Sequence, residues 1–129
     1  MIDEKLKQKL ILNLLGFDGQ IEQTKKVGSE LDQRFVGKKV MVRTYSAGVH
    51  FGELVEKCGQ QAILKNSKRV WSWVKAASLS QLAMEGSKHI SGCKITMAVG
   101  EVLLDRVVEI IPMNLSAYNQ LMEAEEWKI

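Results

Sequence analysis

The sequence lacks long apolar runs. Its 129 residues are 46% hydrophobic and 26% charged, but the apolar residues occur in short runs such as Leu10-Ile11-Leu12. A membrane-spanning helix needs about 20 consecutive apolar residues, so none is predicted. Met1–Lys5 is mixed in charge and lacks the basic-then-apolar order of a signal peptide. We therefore expect a cytoplasmic protein that folds as one domain, since the chain is too short for two ordinary ones.

Cysteine and histidine are also scarce. Cys58 and Cys93 stand far apart with no CxxC spacing, which favours two reduced thiols over a disulfide or a metal pair. His50 and His89 have no further ligand at metal spacing. The glycine-rich, nucleophile-elbow and zinc-protease motifs of common enzymes are missing too. We expect no metal, no cofactor and no enzymatic activity.

Positive charge is concentrated in the middle of the chain. The formal net charge is only +3, but residues 40–80 carry six Lys/Arg against two Asp/Glu. Residues 81–129 carry four Lys/Arg against seven Asp/Glu. An anionic ligand is therefore drawn to the middle third. The overall charge is too small for an obligate duplex-DNA-binding domain, and we do not expect nucleic acid as a partner.

The hydrophobic periodicity predicts an α+β fold, an antiparallel meander with N-terminal helices and a short C-terminal helix. Residues 1–37 form an N-terminal helical segment, in which Leu6, Leu10 and Leu14 repeat every four residues. From Lys38 the period changes to two, so residues 38–129 form the antiparallel β core with short helices, all in one domain.

Local signals divide this sequence further. Ser29-Glu30-Leu31-Asp32 is typical of a helix cap. The meander has three strands, with a bulge near Asn66. A short helix is predicted over Ser78–Glu85 and is stopped by Gly86. Strands follow at Lys94–Val99 and in residues 102–111, and Asn114 or Ser116 caps the last helix.

Candidate ligand-binding residues lie on the first and third strands of the meander. Arg43 and Tyr45 alternate on the first strand, and Arg69, Trp71 and Trp73 alternate on the third. If these faces coincide, two guanidinium groups stand beside three aromatic rings, a combination that stacks on nucleobases and holds phosphates. The alternative is that both tryptophans belong to the core while the arginines extend into solvent.

Two further residues complete the candidate contacts. His50 follows the first turn of the meander, and only Glu53 and Glu56 lie nearby in sequence to orient it as a general base. A hydrogen-bonded structural histidine is therefore the favoured alternative to a catalytic one. Ser78 stands at the start of the short helix, where a phosphate is stabilised.

The stretch Val42–Gly52, VRTYSAGVHFG, together with Ala62–Trp73 and Ala77–Ala83, resembles a family of small bacteriophage and prophage proteins. The chain is also similar to phage anti-defence sponges of the Thoeris anti-defence type. The resemblance implies that it binds and sequesters a nucleotide immune second messenger, a cyclic ADP-ribose isomer or a cyclic oligonucleotide, without cleaving it. It also implies a homo-oligomer with ligand sites between protomers.

Other uses of the same residues stay open. The sheet face could bind single-stranded nucleic acid, or His50 could serve a nucleotide phosphodiesterase as its base. A phage factor that binds a host protein without a small ligand is a further alternative. The apolar stripe of Leu6–Leu15 packs either on the protein's own sheet or on a second chain, and we expect a homo-oligomer.

Overall fold

The structure is a computed structural model, and it describes residues 29–129. The elements in chain order are α1 (Glu30–Gln33), β1 (Lys39–Thr44), β2 (Val49–Cys58), β3 (Gln61–Ser72), α2 (Leu79–Glu85), a 3₁₀ turn (Ile90–Gly92), β4 (Lys94–Ile95), β5 (Val99–Leu104), β6 (Val107–Pro112) and α3 (Leu115–Met122). The predicted α+β architecture with an antiparallel meander is confirmed. The helices predicted before Ser29 lie outside the described residues. None of the helices described between residues 29 and 129 is long and apolar enough to cross a membrane.

One antiparallel sheet contains all six strands. Its order is β4-β3-β2-β1-β6, and β5 pairs with β3 beside β4. Only Asp105 and Arg106 separate β5 from β6, although these strands lie at opposite edges of the sheet. Because two residues span only a short distance, the sheet must curve until these edges approach each other. The Val107 N–H closes the corner by donating to the Gln60 carbonyl at 2.9 Å.

The alternation predicted for the first strand is confirmed by two separate cores. Met41 packs with Phe51, Val70 and Ile95 beneath α2 and α3, on what we call the helix-covered face. Val40 and Val42 pack on the opposite face in a second cluster with Leu54, Ala62, Leu64 and Leu104. Burial on both faces explains why β1 has three consecutive apolar residues, Val40-Met41-Val42.

The helix caps follow the sequence signals. Ser29 and Asp32 form a capping box at α1, with each side chain accepting the other's backbone N–H. Gly86 ends α2 at a φ of +74°. Asn114 is the N-cap residue of α3, but its side chain donates to the Met84 carbonyl at 2.8 Å and so joins α3 to α2.

The predicted strand boundaries after residue 93 are wrong. The strand expected at Lys94–Val99 ends at Ile95, and the run expected over residues 102–111 divides into β5 and β6. The division falls at Asp105-Arg106, where the aspartate side chain accepts the next backbone N–H at 2.8 Å and Arg106 has a φ of +54°. Neither glycine nor proline marks this turn, so the β-prone residues around it concealed it.

Candidate ligand-binding site

A cavity of about 360 Å³ lies on the opposite face, between β2, β3, β5 and the C-terminal tail. Its volume is within the range of small-molecule sites. Among residues 29–129 the lining contains aromatic, apolar and basic side chains and no carboxylate: His50, Ser67, Lys68, Arg69, Trp71, Thr96, Met97, Val99, Val102 and Trp127. This composition suits a ligand that has both a flat ring and a negative charge.

A β-bulge shapes the floor of the cavity. Phe51 pairs with Lys68 and Glu53 pairs with Lys65, so Gly52 alone faces both Asn66 and Ser67. The bulge predicted near Asn66 is confirmed, and Asn66 has a φ of +51°. The extra residue changes the alternation of β3, which places Ser67 beside the cavity with Arg69 two positions later.

Arg69 is the cation that is available in this cavity. It lies directly opposite His50 in the β2–β3 register and is half-buried, with its backbone N–H donating to Thr96 Oγ1 at 3.0 Å. Within residues 29–129 its guanidinium has no carboxylate and no hydrogen-bond partner. Lys68 differs, because its buried ammonium donates to the Met122 carbonyl at 2.8 Å. A guanidinium without an anion, in a partly desolvated position, favours an anionic ligand.

Two tryptophans form the aromatic wall. Trp71 is 57% exposed and stacks on Trp127, with ring centroids 5.4 Å apart and planes at 29°. The backbone N–H of Trp127 donates to the Ile95 carbonyl at 2.7 Å. Lys94 Nζ lies 5.2 Å from the centre of the Trp127 ring. Sequence reasoning missed Trp127, because nothing in an acidic C-terminal segment indicates that it returns to β3.

His50 is buried and electrically neutral. Burial lowers the pKa of its imidazole, the Ala47 hydrogen bond opposes that effect, and the charge of Arg69 lowers the pKa further. Nε2 lies 3.0 Å from the Ala47 carbonyl oxygen. A carbonyl can only accept, so Nε2 carries the proton and Nδ1 is an acceptor, for which the described residues offer no partner. The buried Ser67 hydroxyl likewise has no hydrogen-bond partner in the part of the chain that the structure describes.

Arg43 and Tyr45 lie away from the cavity. Val42 pairs with His50 and therefore shares the face of the sheet on which the cavity lies. Arg43 is the next residue and pairs with Val49, so its side chain lies on the other face. Its Nε donates to Glu109 Oε1 at 2.7 Å. Tyr45 is 73% exposed in the β1–β2 turn, where its ring contacts the Arg106 guanidinium at 5.5 Å. The faces of the first and third strands therefore do not place the two predicted arginines together.

Trp73 and Ser78 have local structural contacts. β3 ends at Ser72, so the alternation predicted through Trp73 is wrong at its last position. Trp73 packs against the helix-covered core, and its indole N–H donates to the Ala76 carbonyl at 3.3 Å. Ser78 Oγ accepts the Gln81 N–H at 3.1 Å as the cap of α2. Of the seven predicted contacts, the cavity brings together His50, Arg69 and Trp71.

The lowered pKa of His50 predicts a pH dependence of stability. An unfolded histidine has a pKa of about 6.5, so below that pH the unfolded chain takes up the proton first. The free energy of unfolding should be unaffected by this group above pH 6.5 and should decrease as the pH falls further. Urea unfolding at pH 7.5 and 5.0 should show a smaller pH effect for His50→Gln than for wild type. His89→Gln, at a histidine outside the cavity, should retain the wild-type effect; an unchanged effect in His50→Gln would contradict the assignment.

The fold and the cavity define a small α+β domain with an aromatic, basic cavity on one face of an antiparallel sheet. The chain belongs to the family described as Domain of unknown function (DUF6948), whose model matches residues 37–121. That range contains every strand and all the cavity residues except Trp127. A search of curated proteins found no match to the chain.

Proposed function

We propose that this protein is a phage anti-defence protein that binds and sequesters a nucleotide immune second messenger in the host cytoplasm. The ligand is a cyclic ADP-ribose isomer or a cyclic oligonucleotide, which the protein holds without cleaving it. The observation that carries the proposal is the half-buried guanidinium of Arg69, which has no partner among residues 29–129, beside the exposed ring of Trp71. The ring offers stacking worth about 1–3 kcal/mol per base, and the guanidinium offers two parallel hydrogen bonds to a phosphate.

The distribution of charge favours a small ligand over a nucleic-acid strand. A protein that follows a phosphate backbone needs a row of cations. Here Lys68 is occupied by the Met122 carbonyl, and Lys94 lies over the Trp127 ring. Glu125 and Glu126 directly precede Trp127 and would repel a continuous polyanion. A compact anion that contacts Arg69 avoids this repulsion.

The surroundings of His50 support binding without turnover. A general base of the usual kind is oriented by a carboxylate that stabilises the protonated ring. His50 instead donates to a backbone carbonyl, and burial favours its neutral form. These contacts fit a rigid, preformed site better than a proton-transfer site, and this is why sequestration ranks above the phosphodiesterase alternative.

A homo-oligomer remains our prediction for the assembly. Large apolar side chains around the mouth of the cavity are substantially exposed in the single chain: Trp71, Met97, Val99 and Trp127. A second protomer that covers this patch would enclose the cavity and place the ligand between subunits. The N-terminal stripe of Leu6–Leu15, the other predicted contact between protomers, lies outside the described residues.

The proposal is tested by calorimetry against cyclic dinucleotides, cyclic trinucleotides and cyclic ADP-ribose isomers. We expect one class to saturate at a small-molecule stoichiometry and to be recovered intact after the protein is heat-denatured. Sedimentation of the same samples gives the oligomeric state. Absence of binding to every member would refute the function, and loss of ligand would instead support hydrolysis. Affinity that increases with oligonucleotide length and falls steeply with salt would support the nucleic-acid alternative.

A further inference from the structure

The hydrogen-bonding groups in the cavity have fixed and unequal roles. The Ala47 carbonyl holds the proton of His50 on Nε2, which leaves Nδ1 as an acceptor and not a donor. Arg69, directly opposite on β3, can only donate. The Ser67 hydroxyl can do either, but its oxygen is fully buried and has no partner among the described residues. To a ligand the cavity therefore presents an acceptor at His50 and a cationic donor at Arg69.

A ligand must match these roles to avoid leaving polar groups unpaired. An anion satisfies Arg69. His50 is more selective, since only an N–H or O–H group can pair with its Nδ1. Among the nucleobases, adenine and cytosine have an exocyclic amino group where hypoxanthine and uracil have a carbonyl oxygen. A carbonyl oxygen against Nδ1 would place two acceptors together.

We propose that the cavity selects a nucleotide whose base donates an exocyclic amino group to His50 Nδ1, while Arg69 binds the phosphate. This inference rests on the proposed function and specifies the class of base. The side chains of Val99 and Val102 border the same cavity. The discrimination then depends on Nδ1 of His50, an acceptor that has no alternative partner in the described residues.

The matched probes are adenosine 5′-monophosphate and inosine 5′-monophosphate, which carry an amino group or a carbonyl oxygen at purine position 6 and an unprotonated or protonated ring nitrogen at position 1. NMR titration of the full chain to millimolar ligand detects weak binding. We expect the adenine nucleotide to bind about 5- to 150-fold more tightly, because the inosine nucleotide places a carbonyl oxygen against the Nδ1 acceptor of His50. Chemical-shift changes should appear at Trp71 and Trp127.

His50→Gln provides the decisive variant. Glutamine can retain the donor to Ala47 through its own Nε2, but it has no second nitrogen acceptor in the position of Nδ1. We expect the variant to lose most of the preference, whereas His89→Gln retains it. If His50→Gln fails to fold, the ratio of the two nucleotide affinities measured for wild type still tests the inference. Equal binding of the two nucleotides by wild type would overturn this inference alone, and binding of neither would count against the nucleotide site itself.

Discussion

Arg69→Met should weaken binding of the nucleotide ligand about 10- to 150-fold, and Arg43→Met should leave the affinity unchanged. A hydrogen bond to a charged group is worth about 1.5–3 kcal/mol, which corresponds to that range. Arg69 lines the cavity and has no anionic partner among residues 29–129. Methionine preserves much of the apolar stem of the side chain and removes the donors, so the loss would report the charge and its hydrogen bonds. Calorimetry of both variants with the ligand selected from the nucleotide panel measures the difference.

Arg43 is a suitable control because it has the same side chain and lies on the same sheet. It is exposed, on the other side of β1, and paired with Glu109 at 2.7 Å. An exposed pair of this kind contributes little to stability, so Arg43→Met should remain folded. Equal loss of affinity in both variants would show that the arginines act through the long-range field and not through contact in the cavity. No loss in Arg69→Met would remove this guanidinium from the site.

Much of the fold could be predicted because local patterns and tertiary packing agree. The alternation of Val40, Met41 and Val42 matches two separate cores. Ser29 and Ser78 occupy N-cap positions that their hydroxyl groups favour, and Gly86 occupies a C-cap position with the positive φ that glycine tolerates. The turn at Asp105-Arg106 could not be found in this way. Its residues are ordinary and its neighbours are β-prone, so only the curvature of the sheet requires the chain to turn there.

The site was less predictable than the fold because it depends on register. Alternation within β3 correctly grouped Arg69 with Trp71, which both line the cavity. Whether Arg43 joins them depends on the register between β1 and β2. A shift of that register by one residue would move the Arg43 side chain to the other face of the sheet. Trp127 reaches the cavity through the bridge between Ile95 and Glu126, a contact that no local pattern encodes.

Gly52→Ala should lower the free energy of unfolding by about 1–3 kcal/mol, the usual cost of overpacking. Gly52 faces the bulge, and a Cβ there would lie 2.8 Å from the Lys65 carbonyl oxygen and 3.2 Å from Ser67 Cα. Both atoms belong to the backbone of β3, so relief requires the strand to move. Because that movement displaces Ser67 and Arg69, the variant should also bind the nucleotide ligand less tightly. Urea unfolding monitored by tryptophan fluorescence measures the stability, and calorimetry measures the affinity.

Gly100→Ala is the matched control on β5, where an added Cβ would meet no atom within 4 Å. It should be neutral or stabilise the protein by at most about 1 kcal/mol, since alanine restricts the unfolded chain more than glycine does. The two variants add the same methyl group to strands of the same sheet, so their difference isolates the close approach of β2 to β3. If Gly52→Ala were as stable as Gly100→Ala, the backbone of β3 at the bulge would have to move with no loss in the free energy of unfolding. The floor of the cavity would then be adaptable, and a rigid site could not explain selective binding.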